Sequence, residues 1–195
     1  MTLFGKRYLL LPVLMLVLLL PVPAAAQRMA VKTNIPSLAL ATPDLGFELV
    51  TCEHVSLSLS AFGTYNPYWR DLSAGKDVTT SFLVIQPEVR YWFNGRPMTR
   101  FYAGVGALAA TYDFPYMQVI HKGNAAGAGL SFGYMLSLSK RVNIEFSSGA
   151  GMVFYWGKRQ AAGGEAFQTE DSLPDTRGCK LMPTRLGVSL VYIFK

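Results

Sequence analysis

The chain has 195 residues, of which 51% are hydrophobic, 15% charged and 13% aromatic, with 18 Lys+Arg against 12 Asp+Glu. That length is one domain's worth of chain, and sparse charge with abundant aromatic residues excludes a disordered polymer and a coiled coil. Two cysteines are too few for a disulfide scaffold or a cysteine-rich zinc module.

Lys6 and Arg7 form a positive n-region, Tyr8 to Leu20 a leucine-rich apolar run, and Ala24-Ala25-Ala26 a small-residue cleavage site. These are the three parts of a secretory signal peptide over 1–26, followed by a mature domain over 27–195. The apolar run is shorter than the ~20 residues a spanning helix needs. No cysteine follows the site, which speaks against a lipoprotein. The leader holds two bases and no acid, so its removal leaves 16 Lys+Arg against 12 Asp+Glu, a net +4. The remaining bases are scattered, which with export speaks against a nucleic-acid partner.

Beyond Gln27 the hydrophobic pattern has period two, the mark of strands with unlike faces. Val55, Leu57, Leu59 and Ala61 alternate with Ser56, Ser58 and Ser60, and Val142, Ile144 and Phe146 alternate with Asn143, Glu145 and Ser147. The spacing predicts eight strands, at 29–40, 44–50, 55–66, 80–93, 100–114, 124–138, 141–156 and 183–194. Most exceed a typical soluble strand and suit the ~9–11 residues of a tilted transmembrane strand. Short turns at 51–54, 94–99 and 139–140 face longer loops at 67–79, 115–123 and 157–182, the asymmetry of outer-membrane barrels. Only the short link at 41–43 departs from it.

Aromatic residues gather at strand ends: Tyr65, Tyr68 and Trp69; Tyr91, Trp92 and Phe93; Phe101 and Tyr102; Tyr112, Phe114 and Tyr116; Phe154, Tyr155 and Trp156; Tyr192 and Phe194. Girdles of this kind mark a membrane–water interface. The face opposite the apolar one carries Lys32, Asn34, Glu48, Gln86, Glu88, Arg90, Asn143, Glu145 and Arg185, with three acids and three bases. Apolar residues facing lipid would turn these charges into the barrel, where they must pair. The expected interior is therefore a salt-bridge network, with Gly104, Gly106, Gly127, Gly129, Gly133, Gly149 and Gly151 making room for long side chains. Pro36 and Pro87 fall inside predicted strands, where each removes a ladder donor; a bulge or an exit from the sheet is expected at each.

The leader, the alternating strands and the aromatic ending Leu190-Val-Tyr-Ile-Phe194 resemble the small OmpA/OmpX-like barrels. The ending departs from their pattern, since Lys195 follows the last aromatic and Ser189 stands where a glycine is usual. More narrowly, Val31-Lys-Thr-Asn-Ile35, Thr42-Pro-Asp-Leu-Gly-Phe-Glu48, Gln86-Pro-Glu-Val-Arg-Tyr-Trp92 and Phe101-Tyr-Ala-Gly104 resemble a family of uncharacterised outer-membrane barrels from Bacteroides-type bacteria, domain of unknown function 3575. That resemblance implies location in the cell outer membrane, contact with its lipid and its barrel assembly machinery, and a weak link to fimbrial or other surface proteins. It carries over no functional residue.

Little else in the sequence bears on chemistry. Gly104-Val-Gly106 nominally matches a dinucleotide fingerprint but lies within a strand with no helix after it. Cys52-Glu53-His54 offers metal-ligand types, yet three adjacent residues cannot all face one ion. Cys52 and Cys179 fall on opposite sides of the bilayer in the barrel reading, beyond disulfide reach. His121 and Asp113 lack the spacing that commits a nucleophile to a base. No cofactor, metal or catalytic residue is assigned. The expected function is a non-enzymatic structural or surface-interaction barrel. The alternatives are an outer-membrane enzyme acting on lipid or peptide at the outer rim, and a soluble exported lipocalin-like binder.

Overall fold

Alternation of side chains lets each strand offer one face inward and one outward, and a sheet built so can close on itself. The computed structural model describes residues 28–40, 42–66, 80–116, 119–161 and 173–194. They form β1 (Met29–Asn34), α1 (Ile35–Ala39), β2 (Asp44–Val50), β3 (Val55–Asn66), β4 (Thr80–Trp92), β5 (Arg100–Tyr116), β6 (Val119–Ser137), β7 (Val142–Ala161) and β8 (Leu173–Phe194). Every neighbour in sequence pairs antiparallel, and β1 pairs with β8, so the eight strands form a closed up-and-down ring. The segment 1–26, read from the sequence as a signal peptide, the loop at 67–79 with Tyr68 and Trp69, and residues 162–172 lie outside the described residues, as do the side chains of Tyr65, Phe114 and Tyr116.

The first predicted strand is too long. It ends at Asn34, and Ile35–Ala39 form one turn of helix with Pro36 in its first positions, where the missing N–H costs nothing. Pro36 thus marks an exit from the sheet. Pro87 makes neither bulge nor exit. It stays in β4 opposite Leu59, and pairing with β5 lapses between Ile85↔Ala109 and Glu88↔Gly106, then resumes in the same register. The later strands are longer than predicted. β5 reaches Tyr116, β6 begins at Val119, β7 runs to Ala161 and β8 starts at Leu173. Strand length rises from six residues in β1 to 22 in β8, so the wall is low at β1–β2 and tall at β6–β8.

Two register shifts interrupt the β7–β8 pairing, one after Gly149 and one between Gly157 and Arg159. Gly149 pairs with Arg185 while Ala150 pairs with Pro183, leaving Thr184 unmatched. Its carbonyl accepts from Gln86 Nε2 at 2.7 Å across the ring.

The inward glycines do two different things. A Cβ at Gly104 would collide with Glu88 Oε1 and Ser131 Oγ, so this residue does make space for a charged side chain. Gly46, not singled out from the sequence, does the same for Lys32. Gly133 instead accommodates the Tyr102 ring, and Gly106 lies against the carbonyl of Pro87. Gly127, Gly129, Gly149 and Gly151 face backbone. Gly129 and Gly151 are paired, and a Cβ on either would lie 2.5 Å from a carbonyl oxygen of the adjacent strand. They allow a close β6–β7 approach rather than room for side chains.

Leu45, Leu59, Val105, Leu130, Phe132 and Leu186 are exposed on the outer face, while Lys32, Glu48, Ser56, Arg90 and Glu145 are buried inside. At the end holding both sheet termini, Ala30, Trp92, Met98, Tyr102, Met135 and Val191 pack into a small inward apolar plug.

Candidate functional site: an enclosed ion-pair network

Period two brings polar residues from seven strands together inside the ring, six of them charged and drawn from five strands. Lys32 comes from β1, Glu48 from β2, Glu88 and Arg90 from β4, Glu145 from β7 and Arg185 from β8, with serines of β3 and β6 between them.

Arg90 is the hub. Nη1 lies 2.8 Å from Glu48 Oε2 and 3.1 Å from Glu145 Oε2, Nη2 lies 2.9 Å from Glu145 Oε1, and Nε lies 2.8 Å from Glu88 Oε2. Its pairing with Glu145 is the two-pronged fork that a guanidinium alone can make. Lys32 Nζ sits 3.4 Å from Glu48 Oε2 and 3.5 Å from Glu145 Oε2. Arg185 Nη1 donates to Glu88 Oε2 at 2.6 Å. Three cations thus face three carboxylates.

Neutral donors complete the carboxylates. Tyr102 Oη donates to Glu145 Oε1 at 2.7 Å, Ser56 Oγ to Glu48 Oε1 at 2.7 Å, and Ser131 Oγ to Glu88 Oε1. Trp92 Nε1 donates to Ser56 Oγ at 2.8 Å, and the Arg90 guanidinium lies 4.3 Å from the centre of the Tyr102 ring. A buried charge is tolerated only when paired and hydrogen-bonded in this way. The arrangement fills the ring and holds its strands in register.

Asn34 is half-buried above this level, its amide over the position a Cβ at Gly187 would take. Asn143 stands apart, its Nδ2 donating to the Met98 carbonyl at 2.9 Å.

Trp92 and Tyr102 are placed differently from the sequence expectation. They are fully buried inside the ring, with ring centres 5.0 Å apart, and are not part of an outer girdle. Both share the parity of inward neighbours, Trp92 with Glu88 and Arg90, and Tyr102 with Gly104. The alternation was therefore a sufficient signal for them, and for Ser131 between Gly129 and Gly133.

The residues weighed for chemistry lie elsewhere. His54 stacks on Tyr91, with ring centres 5.6 Å apart. Cys52 and Cys179 are free and exposed, one in the β2–β3 turn and the other on β8 opposite Phe154, towards the other end of the ring. Asp113 is ion-paired with Lys122 at 3.3 Å. Among the described residues no group of three His, Cys, Asp or Glu side chains could hold a metal ion.

Residues 12–194 match the family model described as protein of unknown function (DUF3575). The chain belongs to the DUF3575 family. No curated protein and no solved structure matches it. This DUF3575 member thus encloses its ion pairs within a closed eight-strand ring.

Proposed function

We propose that the protein is exported by its N-terminal signal peptide and inserts in the outer membrane as a small OmpA/OmpX-like barrel, where it serves a structural or surface-interaction role without catalysing a reaction. The observation that carries this reading is the inversion of polarity. Glu48, Arg90 and Glu145 are wholly enclosed, while Val105, Leu130, Phe132 and Leu186 are more than half exposed on the outer wall. In water that arrangement forfeits apolar burial and desolvates charge at once; in lipid the outer face is solvated by acyl chains. No described helix is long and apolar enough to cross a membrane.

Five of the eight strands, β4–β8, have 13 to 22 residues, ample for the bilayer's hydrocarbon thickness. β1 and β2 have six and seven. There α1 continues the apolar surface with exposed Ile35 and Leu38, followed by Leu40. The ion pairs occupy the space that a lipocalin-like binder would keep for an apolar ligand, which favours a filled peg over a carrier.

Partners on this reading are outer-membrane lipid, the barrel assembly machinery and, more distantly, surface or fimbrial proteins. Cell fractionation with a heat-modifiability gel tests the proposal. It predicts recovery in the detergent-soluble membrane fraction and a mobility shift on boiling; recovery in the aqueous fraction with no shift would refute it.

A further inference from the structure

The β4–β5 turn is held in a costly shape. Met98 has φ 65° and Arg100 φ 61°, left-handed values that side-chain-bearing residues rarely adopt. Three side-chain bonds fix it, beside the backbone bonds of the turn: Asn94 Nδ2 to Thr99 Oγ1 at 2.8 Å, Thr99 Oγ1 to the Arg96 carbonyl at 2.7 Å, and Asn143 Nδ2 to the Met98 carbonyl at 2.9 Å. Met98 is sunk in the apolar plug. The turn is thus anchored inward, and it projects Arg96 and Arg100, both exposed, on the rim. Among the described residues no carboxylate lies within ion-pair distance of either arginine.

Arg96 and Arg100 line a cleft of about 590 Å³ together with Asn94, Thr99, Tyr134 and Ser137. An apolar groove of about 880 Å³ adjoins it on the outer wall, walled by Phe93, Phe101, Phe132 and Phe146. The two meet at Tyr134, which lines both and whose ring lies 4.7 Å from that of Phe101. The rest of this rim is basic as well. Arg28, Lys140 and Arg141 are exposed there, and Glu53 is its one acid among the described residues.

We propose that this junction binds one anionic phospholipid, its phosphodiester between Arg96 and Arg100 and an acyl chain along the phenylalanine groove. Two unpaired guanidiniums match a phosphate oxygen pair, and the adjacent groove supplies the apolar half that free phosphate could not use. The strained turn pre-orders the head-group site before lipid arrives. The inference rests on the membrane reading above and adds one premise: a chain delivered from the periplasm leaves the rim bearing both sheet termini on the inner, phospholipid leaflet.

The test is native mass spectrometry of the full mature chain, folded in detergent and offered equimolar phosphatidylglycerol and phosphatidylcholine of the same acyl composition. One phosphatidylglycerol should be retained in preference, and the preference should fall about 10- to 30-fold in Arg96→Gln/Arg100→Gln. Arg96→Gln alone, outside the strained position, should lose part of it. Lys140→Gln/Arg141→Gln should keep it, which separates a built site from general rim charge. Inorganic phosphate should not displace the lipid. Equal retention of the two lipids, displacement by phosphate, or an unchanged preference in the arginine variants would overturn the proposal. A heat-modifiability gel on the same samples separates the two levels: a protein that inserts but shows no preference refutes the lipid site alone, and one that does not insert refutes the membrane reading too.

Discussion

Arg90→Met is the sharpest perturbation of the interior. The guanidinium makes four contacts of 2.8 to 3.1 Å with three carboxylates, all enclosed. Methionine fills much of the stem's volume but supplies no donor. Glu48, Glu88 and Glu145 would then face only Lys32 and Arg185, one charge short. Removing one partner from a buried ion pair costs about 3–5 kcal/mol, most of it from the carboxylates left uncompensated. With a denaturant slope of ~2–3 kcal/mol/M in urea, ~4 kcal/mol lowers the unfolding midpoint by ~1.3–2 M. The assay is urea unfolding of the protein refolded in detergent, followed by tryptophan fluorescence and heat-modifiable migration. The double variant Arg90→Met/Glu145→Gln restores charge balance and should recover part of the loss, a non-additivity expected of groups in direct contact. A midpoint within ~0.3 M of the parent for Arg90→Met, or strictly additive losses in the double variant, would refute the claim that the network is enclosed and interdependent.

Other substitutions test separate parts. Tyr102→Phe removes the donor to Glu145 while keeping the ring, and should cost ~1.5–3 kcal/mol in the same unfolding assay. Gly104→Ala places a methyl against Glu88 and Ser131, and should cost ~1–3 kcal/mol, whereas a neutral result would show that the carboxylate has slack. Val105→Lys on the outer wall should cost ~2–4 kcal/mol when the protein folds into lipid vesicles, since lysine near the bilayer midplane is penalised; no loss would place that wall in water.

The sequence expresses the lower part of this ring almost directly. Ser56, Ser58 and Ser60 alternate with Val55, Leu57 and Leu59, and the fold turns the serines inward and leaves the leucines exposed. It is less explicit where a second influence cuts across the alternation. Ile35, Leu38 and Leu40 read as a continuing strand, but Pro36 fits the first turn of a helix and the sheet stops at Asn34. The segment 173–182 belongs to β8, yet the bulge at Thr184 reverses which parity faces inward, so one alternation cannot be followed through it. The first five residues of β6 and the end of β7 are likewise hard to read, because Gly123, Gly157, Lys158 and Gln160 set up no apolar stripe. For the network, charge and parity pointed to Lys32, Glu48, Glu88, Arg90, Glu145 and Arg185. The donors Trp92 and Tyr102 were obscured because aromatic residues near strand ends fit a girdle as well as a plug.

Bromine quenching of single-tryptophan proteins in vesicles with brominated acyl chains asks most directly which side of the wall meets lipid. One protein carries only Leu130→Trp, on the exposed outer face, and the other retains only Trp92, enclosed by the ring. A lipid-facing outer wall predicts strong quenching of the tryptophan at 130 and little at 92; an unquenched signal from position 130 in folded protein would contradict it.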